Sequence, residues 1–190
     1  MPFVDMEAEP GAFRRTMGRF ATGVGLLTVQ SGTRLHGMTA NAISSLSLDP
    51  LLVLACVGKQ TTMAGMLRDC GGFAINFLSR DQELVARHFA GAQREGAPPE
   101  VHFERWQGGP RLRGSLAALG CHLQEILEGG DHWVVIGRVV ALAEDGQAAQ
   151  PLLFFNGRYR LLAPPSEAPQ VPPPDLFASR GASLYHGEWE

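Results

Sequence analysis

The chain has 190 residues, of which 45% are hydrophobic and 18% charged, enough for one well-packed domain and short for two. A net charge of -3 offers no basic face and disfavours nucleic acid and acidic lipid as partners. Its three cysteines form no Cys-x-x-Cys pair, so neither a disulfide framework nor a metal site is indicated. Neither a signal peptide nor an apolar run of membrane-spanning length is visible, and we expect a cytoplasmic protein.

The amino-terminal segment predicts a helix followed by a β-hairpin. The helix follows Pro10 and ends at Gly23, with Phe13, Met17 and Phe20 on the face that packs on the rest of the domain. A strand at residues 25–30 and a returning strand that starts at residue 34 flank a Ser-Gly-Thr turn.

Residues 37–54 hold an unusual density of small and hydroxyl-bearing side chains, followed by an Asp-Pro turn and an apolar run. The run at residues 51–57 predicts a buried strand, with Cys56 as a small core residue. Many short donors without bulk or charge suit a planar polar ligand that lies against the backbone. The alternative is a Ser/Thr-rich connection that satisfies its own backbone.

The segment after this strand predicts a helix amino terminus with an anion-binding character. Thr61 or Thr62 is a candidate N-cap for a helix that starts there. The unpaired N–H groups of a helix start, together with Lys59, can hold a phosphate. Read in isolation, the same residues are a capped helix that binds nothing.

The middle of the chain predicts a strand, a helix and a loop. Residues 73–78 form the strand, and residues 79–82 are a capping box for a helix with an apolar face. That face holds Leu84, Val85, His88 and Phe89. Residues 91–100 read as a loop, and we expect Phe103 and Trp106 to anchor the segment that follows it.

The last third predicts further strands and an unstructured tail. Strand-like segments occupy residues 112–119 and 121–127, and a Gly-Asp-His turn leads into a strand at residues 133–140. Residues 151–160 read as two short strands around Asn156-Gly157, a hairpin dipeptide. From Ala163 onward proline dominates, which is typical of an extended or disordered tail.

Taken in order, these motifs resemble the short-chain flavin reductases over residues 11–160. The set comprises the hydroxyl segment with Asp-Pro, the Lys-x-Thr-Thr helix start, the Asn-containing strand, Gly-Asp-His and the Pro-Leu-Leu-Phe-Phe closure. The resemblance implies a mainly β (α+β) fold, the FMN-binding split β-barrel, Greek-key-like with flanking helices and homodimeric. It divides the chain into a lead-in at 1–10, the barrel domain at 11–162 and the tail at 163–190.

The resemblance also implies a site. The nicotinamide nucleotide would be contacted by His132, the catalytic candidate, and the flavin phosphate would be held at Lys59, Thr61 and Thr62. The remaining implied cofactor contacts are Thr39, Ala40, Asn41, Ala42, Ile43, Ser44, Ser45, Ser47, Asn76 and Phe89.

The resemblance implies reduction of FMN or FAD by NADH or NADPH, with reduced flavin passed to a partner oxygenase. One alternative is a split-barrel flavoprotein that keeps its FMN and acts on a small metabolite, for which the tail could cover the nicotinamide entrance. The other is a non-enzymatic flavin- or haem-binding module. Neither a Gly-x-Gly-x-x-Gly after a strand nor a Walker motif is present, which leaves no Rossmann or P-loop interpretation.

Overall fold

The computed structural model describes residues 5–91, 97–146 and 149–162, which form three α-helices and twelve strands. The helices are α1 (Pro10–Met17), α2 (Thr62–Cys70) and α3 (Glu83–Phe89), with a 3-10 turn at Arg80–Gln82. The strands are β1 (Thr22–Gly23), β2 (Gly25–Ser31), β3 (Arg34–Ala40), β4 (Ile43–Leu48), β5 (Leu51–Gly58), β6 (Gly72–Phe77), β7 (Phe103–Glu104), β8 (Arg111–Leu112), β9 (Ala117–Gly129), β10 (His132–Glu144), β11 (Leu153–Phe155) and β12 (Arg158–Arg160).

Seven strands form one antiparallel sheet in the order β3-β2-β6-β9-β10-β5-β4. The interior is shared by strands that lie far apart in this order, since Val29 of β2, Val53 of β5 and Val135 of β10 belong to one buried cluster. The sheet therefore curls around this cluster, and a second cluster that includes Leu26 and Val85 lies beneath α3. The two edge strands, β3 and β4, are consecutive in the chain and are not paired with each other. This is the split barrel that the sequence predicts.

Strand β5 is buried on one face only. Val53, Ala55 and Val57 are buried, whereas the alternate residues, Cys56 among them, are half-exposed. The predicted burial of this strand holds for its inner face, and the prediction of a core Cys56 is wrong, because Cys56 lies on the outer, half-exposed face.

Helix α1 is shorter than the sequence predicts and does not bury its aromatic face. It ends at Met17, with Gly18 as its C-cap, and Ala12 is its one buried residue. Phe13 and Phe20 are 66% and 69% exposed, so the prediction that they pack on the domain is wrong. The chain turns away after Gly18, whose carbonyl accepts a hydrogen bond from the Asn156 N–H.

The predicted helix face of α3 is half right. Val85 is buried, and Ala86 beside it is also buried, but Leu84 and His88 are exposed. The helix follows a 3-10 turn in which the Ser79 N–H donates to Gln82 Oε1 at 3.0 Å, as the capping-box prediction requires. The turn rotates the start of the helix so that Leu84 faces solvent.

Local turn signals are confirmed. Asn156 and Gly157 both have positive φ, as the two-residue loop between β11 and β12 requires. Gly71 ends α2 in the left-handed conformation. The two strand-like segments predicted on either side of residue 120 lie in one strand from Ala117 onward, and the irregularity falls on the partner strand, where the register shifts between Val139 and Ala141.

Some sequence predictions lie outside the described residues, namely the central part of the loop at 92–96 and the tail at 163–190. Within the described ranges, no helix combines the length and apolar character needed to cross a membrane. In the same ranges, no group of three or more His, Cys, Asp or Glu residues is arranged to hold a metal ion.

Candidate functional site

The tip of the β9–β10 hairpin lies beside the start of α2. The sheet register pairs His132 with Gly58, the last residue of β5. One residue further on, the Lys59 N–H donates to the Asp131 carbonyl at 3.0 Å. The pairing of β5 with β10 therefore brings the predicted phosphate-binding residues next to the predicted nicotinamide-contacting histidine.

Thr61 is the N-cap of α2, as predicted. Its Oγ1 accepts from the Ala64 N–H at 3.2 Å and donates to the Gly58 carbonyl at 2.8 Å. The Thr62 and Met63 N–H groups have no partner within the helix, because they belong to its first turn. The helix start thus presents backbone donors and a partial positive charge that suit a phosphate.

His132 is held by its neighbour and is half-exposed. Its Nδ1 lies 2.7 Å from Asp131 Oδ1, and 49% of the His132 side chain is exposed. The hydrogen bond to His132 lowers the pKa of the Asp131 carboxyl, with a smaller contribution from the charge of Arg14. Asp131 therefore stays ionised and orients the imidazole, leaving Nε2 free to face a ligand.

Gly58 keeps the space between the helix start and the histidine open. A Cβ built at Gly58 would lie 3.4 Å from Thr61 Cγ2 and 3.8 Å from His132 Nε2. A ligand that reaches both side chains therefore passes directly over a glycine backbone.

A groove of about 600 Å³ lies between α1 and the outer face of the β4–β5 edge; we call it the α1 groove. Phe13 and Met17 form one wall, Leu54 and Cys56 the other, and Phe154 closes one end. Arg14 also lines the groove, and Cys56, two residues before Gly58, places the groove along the strand that leads to the start of α2. Its volume and its largely apolar lining are those of a small-molecule site.

The predicted hydroxyl segment is divided among three concavities. The α1 groove is lined by Asn41, Ala42, Ile43 and Ser44. Thr39 and Ala40, again with Asn41, border a cavity of about 160 Å³. Ser45 and Ser47 face a second groove of about 530 Å³ beside β4 and β5, which we call the β4 groove.

The Thr39 side chain is committed to packing, because its Oγ1 donates to the Ala86 carbonyl of α3 at 2.8 Å. The Asn41 side chain is also engaged in a hydrogen bond, because its Nδ2 donates to Thr22 Oγ1 at 3.2 Å. The segment comprises the end of β3, a two-residue connection and most of β4, and its contacts to a flavin stay a prediction.

Asn76 is fully buried and cannot offer its side chain to a ligand. Its Nδ2 donates to the Leu26 carbonyl and to Thr28 Oγ1, and its Oδ1 accepts from the Leu112 N–H at 2.7 Å. These bonds tie β2, β6 and β8 together and give the Asn76 side chain a structural role, while the cofactor contact of this strand, which the resemblance assigns to its backbone, stays a prediction.

Phe89 is a packing residue at the junction of α3 and β3. A Cβ at Gly37 would come within 2.8 Å of its ring, and Phe103 meets that ring edge-on, with the two ring centroids 6.2 Å apart. Its contact with a cofactor stays a prediction.

Sequence reasoning missed the side chains that surround Lys59. Glu128 is hydrogen-bonded to the Lys59 ammonium, which also lies 4.6 Å from the centroid of the Trp133 ring. Glu128 and Trp133 are cross-strand partners in the β9–β10 hairpin. A sequence signal for Trp133 exists in its position one residue after His132, but only the strand register reveals that it meets Lys59.

The family model for the flavin reductase like domain matches residues 17–163. An NADH-dependent flavin reductase from Rhodococcus sp. is 40% identical over 162 residues, covering 84% of this chain and 90% of the relative. The reductase component of 4-hydroxyphenylacetate 3-monooxygenase from Thermus thermophilus is 39% identical over 155 residues, covering 82% of this chain and 98% of the relative.

Solved structures give the same result. Flavin reductase PheA2 in its native state superposes with a TM-score of 0.77 at 38% identity, over 82% of this chain and 99% of that one. The NADH:FAD oxidoreductase SgcE6 of Streptomyces globisporus, in complex with NAD and FAD fragments, gives 0.75 at 37% identity, over 86% and 98%. This chain belongs to the flavin reductase-like domain family.

Proposed function

We propose that this protein is an NADH-dependent flavin reductase that transfers a hydride from the nicotinamide to FMN or FAD and supplies reduced flavin to a partner monooxygenase. The observation that carries the proposal is the placement of Thr61 and His132 around Gly58, at the start of α2. Relatives named as NADH-dependent flavin reductases and as monooxygenase reductase components support it.

The residues present fit a flavin nucleotide. The phosphate would be held by the first-turn N–H groups of α2, by the Thr62 hydroxyl and by Lys59, while Thr61, whose hydroxyl donates to the Gly58 carbonyl, caps the helix start. Backbone and short side chains at Asn41 and Ala42 offer polar contacts without bulk where the groove passes the end of β3. The apolar walls of the groove supply the surface against which a ring system is buried.

Hydride transfer from nicotinamide C4 to flavin N5 is chemistry that the two bound cofactors supply. The protein's part is to hold two rings at reacting distance and to exclude water. His132, fixed by Asp131, orients the nicotinamide nucleotide through Nε2. Backbone N–H groups and hydroxyls stabilise negative charge on the acceptor ring, so no side chain has to move a proton at the moment of transfer.

A homodimer is part of the proposal. Leu48 and Leu142 line the β4 groove and are 72% and 65% exposed in the single chain. Phe20, which is 69% exposed, lines both grooves. Exposed leucines around a groove are typical of an interface between subunits, and a second copy that covers the β4 groove would complete the walls of the α1 groove.

The domain division and the compartment are proposed on two further observations. The family match at residues 17–163 supports a barrel domain at 11–162, a lead-in at 1–10 and a separate segment at 163–190. All three cysteines, Cys56, Cys70 and Cys121, are free thiols, which supports a reducing compartment such as the cytoplasm.

The test is oxidation of NADH by purified protein, followed at the nicotinamide absorbance with and without added FMN or FAD. Many turnovers that require free flavin are expected. A protein that purifies with bound flavin and ignores added flavin would be a tight flavoprotein, and one that oxidises neither NADH nor NADPH would be a binding module. Either result contradicts the proposal.

A further inference from the structure

Lys59 is already engaged by the protein's own anion. The Lys59 side chain is 23% exposed, and its ammonium is hydrogen-bonded to the carboxylate of Glu128, whose side chain is 74% exposed. No other carboxylate forms an ion pair with Lys59 in the described part of the chain. The lysine that is proposed to bind the flavin phosphate therefore already pairs with a carboxylate of the protein, and that carboxylate competes with the phosphate for the lysine.

The lysine is held in place from a second side. Its Nζ lies 4.6 Å from the centroid of the Trp133 ring, and the Arg68 guanidinium carbon lies 4.5 Å from the same centroid. A cation over an indole face is attracted to it without being neutralised. Trp133 also packs against the main core cluster, so the lysine rests on a fixed platform while its charge stays available to an anion.

The carboxylate is much freer to move than the lysine. Glu128 lies near the end of β9, one residue before Gly129, and the residues on both sides of it are exposed. Its pKa lies below the usual value because of the hydrogen bond from Lys59 and the charge of Lys59. Glu128 therefore carries a negative charge at neutral pH, as a flavin phosphate does, and the two anions compete for Lys59.

We infer that Glu128 is a positioning residue that sets flavin affinity by competing with the flavin phosphate for Lys59, so that reduced flavin is released rather than retained. The inference rests on the proposed function, because it assigns the phosphate to the Lys59–Thr61 end of the site. A reductase that serves a separate oxygenase must let its product leave, and an internal carboxylate that replaces the departing phosphate lowers the cost of leaving the lysine unpaired.

The test uses Glu128→Gln, which removes the negative charge and keeps the side-chain shape. Equilibrium dissociation constants for FMN and for riboflavin, which lacks the phosphate, are measured by quenching of flavin fluorescence in the absence of NADH. Exposed ion pairs are worth up to about 1 kcal/mol, so the dissociation constant for FMN is expected to fall about two- to five-fold. That for riboflavin should stay the same.

Glu125→Gln is the matched control. Glu125 is an exposed residue on the same strand, and Glu125→Gln makes the same change in net charge. Within the described residues Glu125 forms no ion pair, so the substitution breaks none there. It should leave both dissociation constants unchanged. Stopped-flow release of reduced FMN should slow in Glu128→Gln by about the factor by which binding tightens.

The outcomes separate this inference from the proposed function. Equal tightening of FMN and riboflavin, an unchanged FMN constant in Glu128→Gln, or the same tightening in Glu125→Gln would each overturn the role of Glu128 and leave the reductase assay untouched. If wild-type protein binds FMN no better than riboflavin, the phosphate does not use Lys59 and the inference fails at its premise.

Discussion

His132 is a half-exposed side chain at a hairpin tip, a position where most histidines have no specific functional role. Two observations distinguish it. Asp131 fixes one of its ring nitrogens at 2.7 Å, and the other nitrogen faces the gap above Gly58. An imidazole held in this way can orient a nicotinamide nucleotide while contributing little to the stability of the fold.

Replacing His132 by Ala should therefore separate activity from stability. The value of kcat/KM for NADH is expected to fall about ten- to a hundred-fold through lost orientation. The free energy of unfolding should change by less than about 0.5 kcal/mol, as for other exposed sites. Steady-state kinetics and urea unfolding measure the two quantities.

His122→Ala is the control for that variant, since His122 is an exposed histidine on β9, away from the hairpin tip. It should change neither quantity. An equal loss of activity in both variants, or full activity in His132→Ala, would remove His132 from the nicotinamide site.

At the scale of elements, the packing of α3 on β3 fixes one side of the candidate site. Two contacts hold them together, the Thr39–Ala86 hydrogen bond and the close approach of the Phe89 ring to Gly37. Gly37 leaves no room for a methyl group, because a Cβ would lie 2.8 Å from that ring. The absence of a side chain here decides where the helix sits.

Gly37→Ala should displace the Phe89 ring and cost about 1–3 kcal/mol of unfolding free energy, the usual penalty for overpacking. Gly65→Ala is the matched control, because Gly65 is exposed within α2 and a Cβ there meets nothing within 4 Å. It should stabilise the protein by about 0.5–1 kcal/mol through helix propensity. Urea midpoints measure both changes, and a shift in the same direction for both variants would contradict the packing argument.

Elements and turns whose causes are local could be predicted from the sequence. Thr61 caps α2 because its hydroxyl reaches a backbone N–H three residues on, and Asn156-Gly157 turns because both residues tolerate positive φ. Features that depend on a distant partner could not be predicted. The sequence places Phe13 on the apolar face of a helix, but in the fold this side chain is exposed. The pairing of Glu128 with Lys59 depends on the register of three strands.

The same distinction applies to the candidate site. His132 and Thr61 lie together as the motif order implies, but the hydroxyl segment borders three concavities because it runs from the end of β3 through residues 41–42 into β4, at the edge of the sheet. The Asn76 side chain is buried because Leu26, Thr28 and Leu112 provide hydrogen-bond partners for both ends of its amide group. No pattern in the sequence indicates those partners.

For the whole molecule, the single chain leaves apolar surface on two connected grooves. Phe20, Asn41, Ile43 and Ser44 are among the residues that line both the α1 groove and the β4 groove. If a second subunit covers the β4 groove, as proposed, subunit association and flavin affinity are coupled through these shared walls. The oligomeric state is then part of the site rather than an accessory to it.

Leu48→Glu combined with Leu142→Glu should break the dimer and weaken flavin binding together. Burying two unpaired carboxylates is expected to raise the dimer dissociation constant at least about a hundred-fold, which sedimentation velocity will show as a shift from dimer to monomer. The FMN dissociation constant should rise in the monomer and recover at high protein concentration.

Leu84→Glu is the control, because Leu84 is 63% exposed on α3 and lines neither groove. This variant should remain dimeric. A wild-type monomer, or a double variant that stays dimeric with unchanged flavin affinity, would rule out this interface.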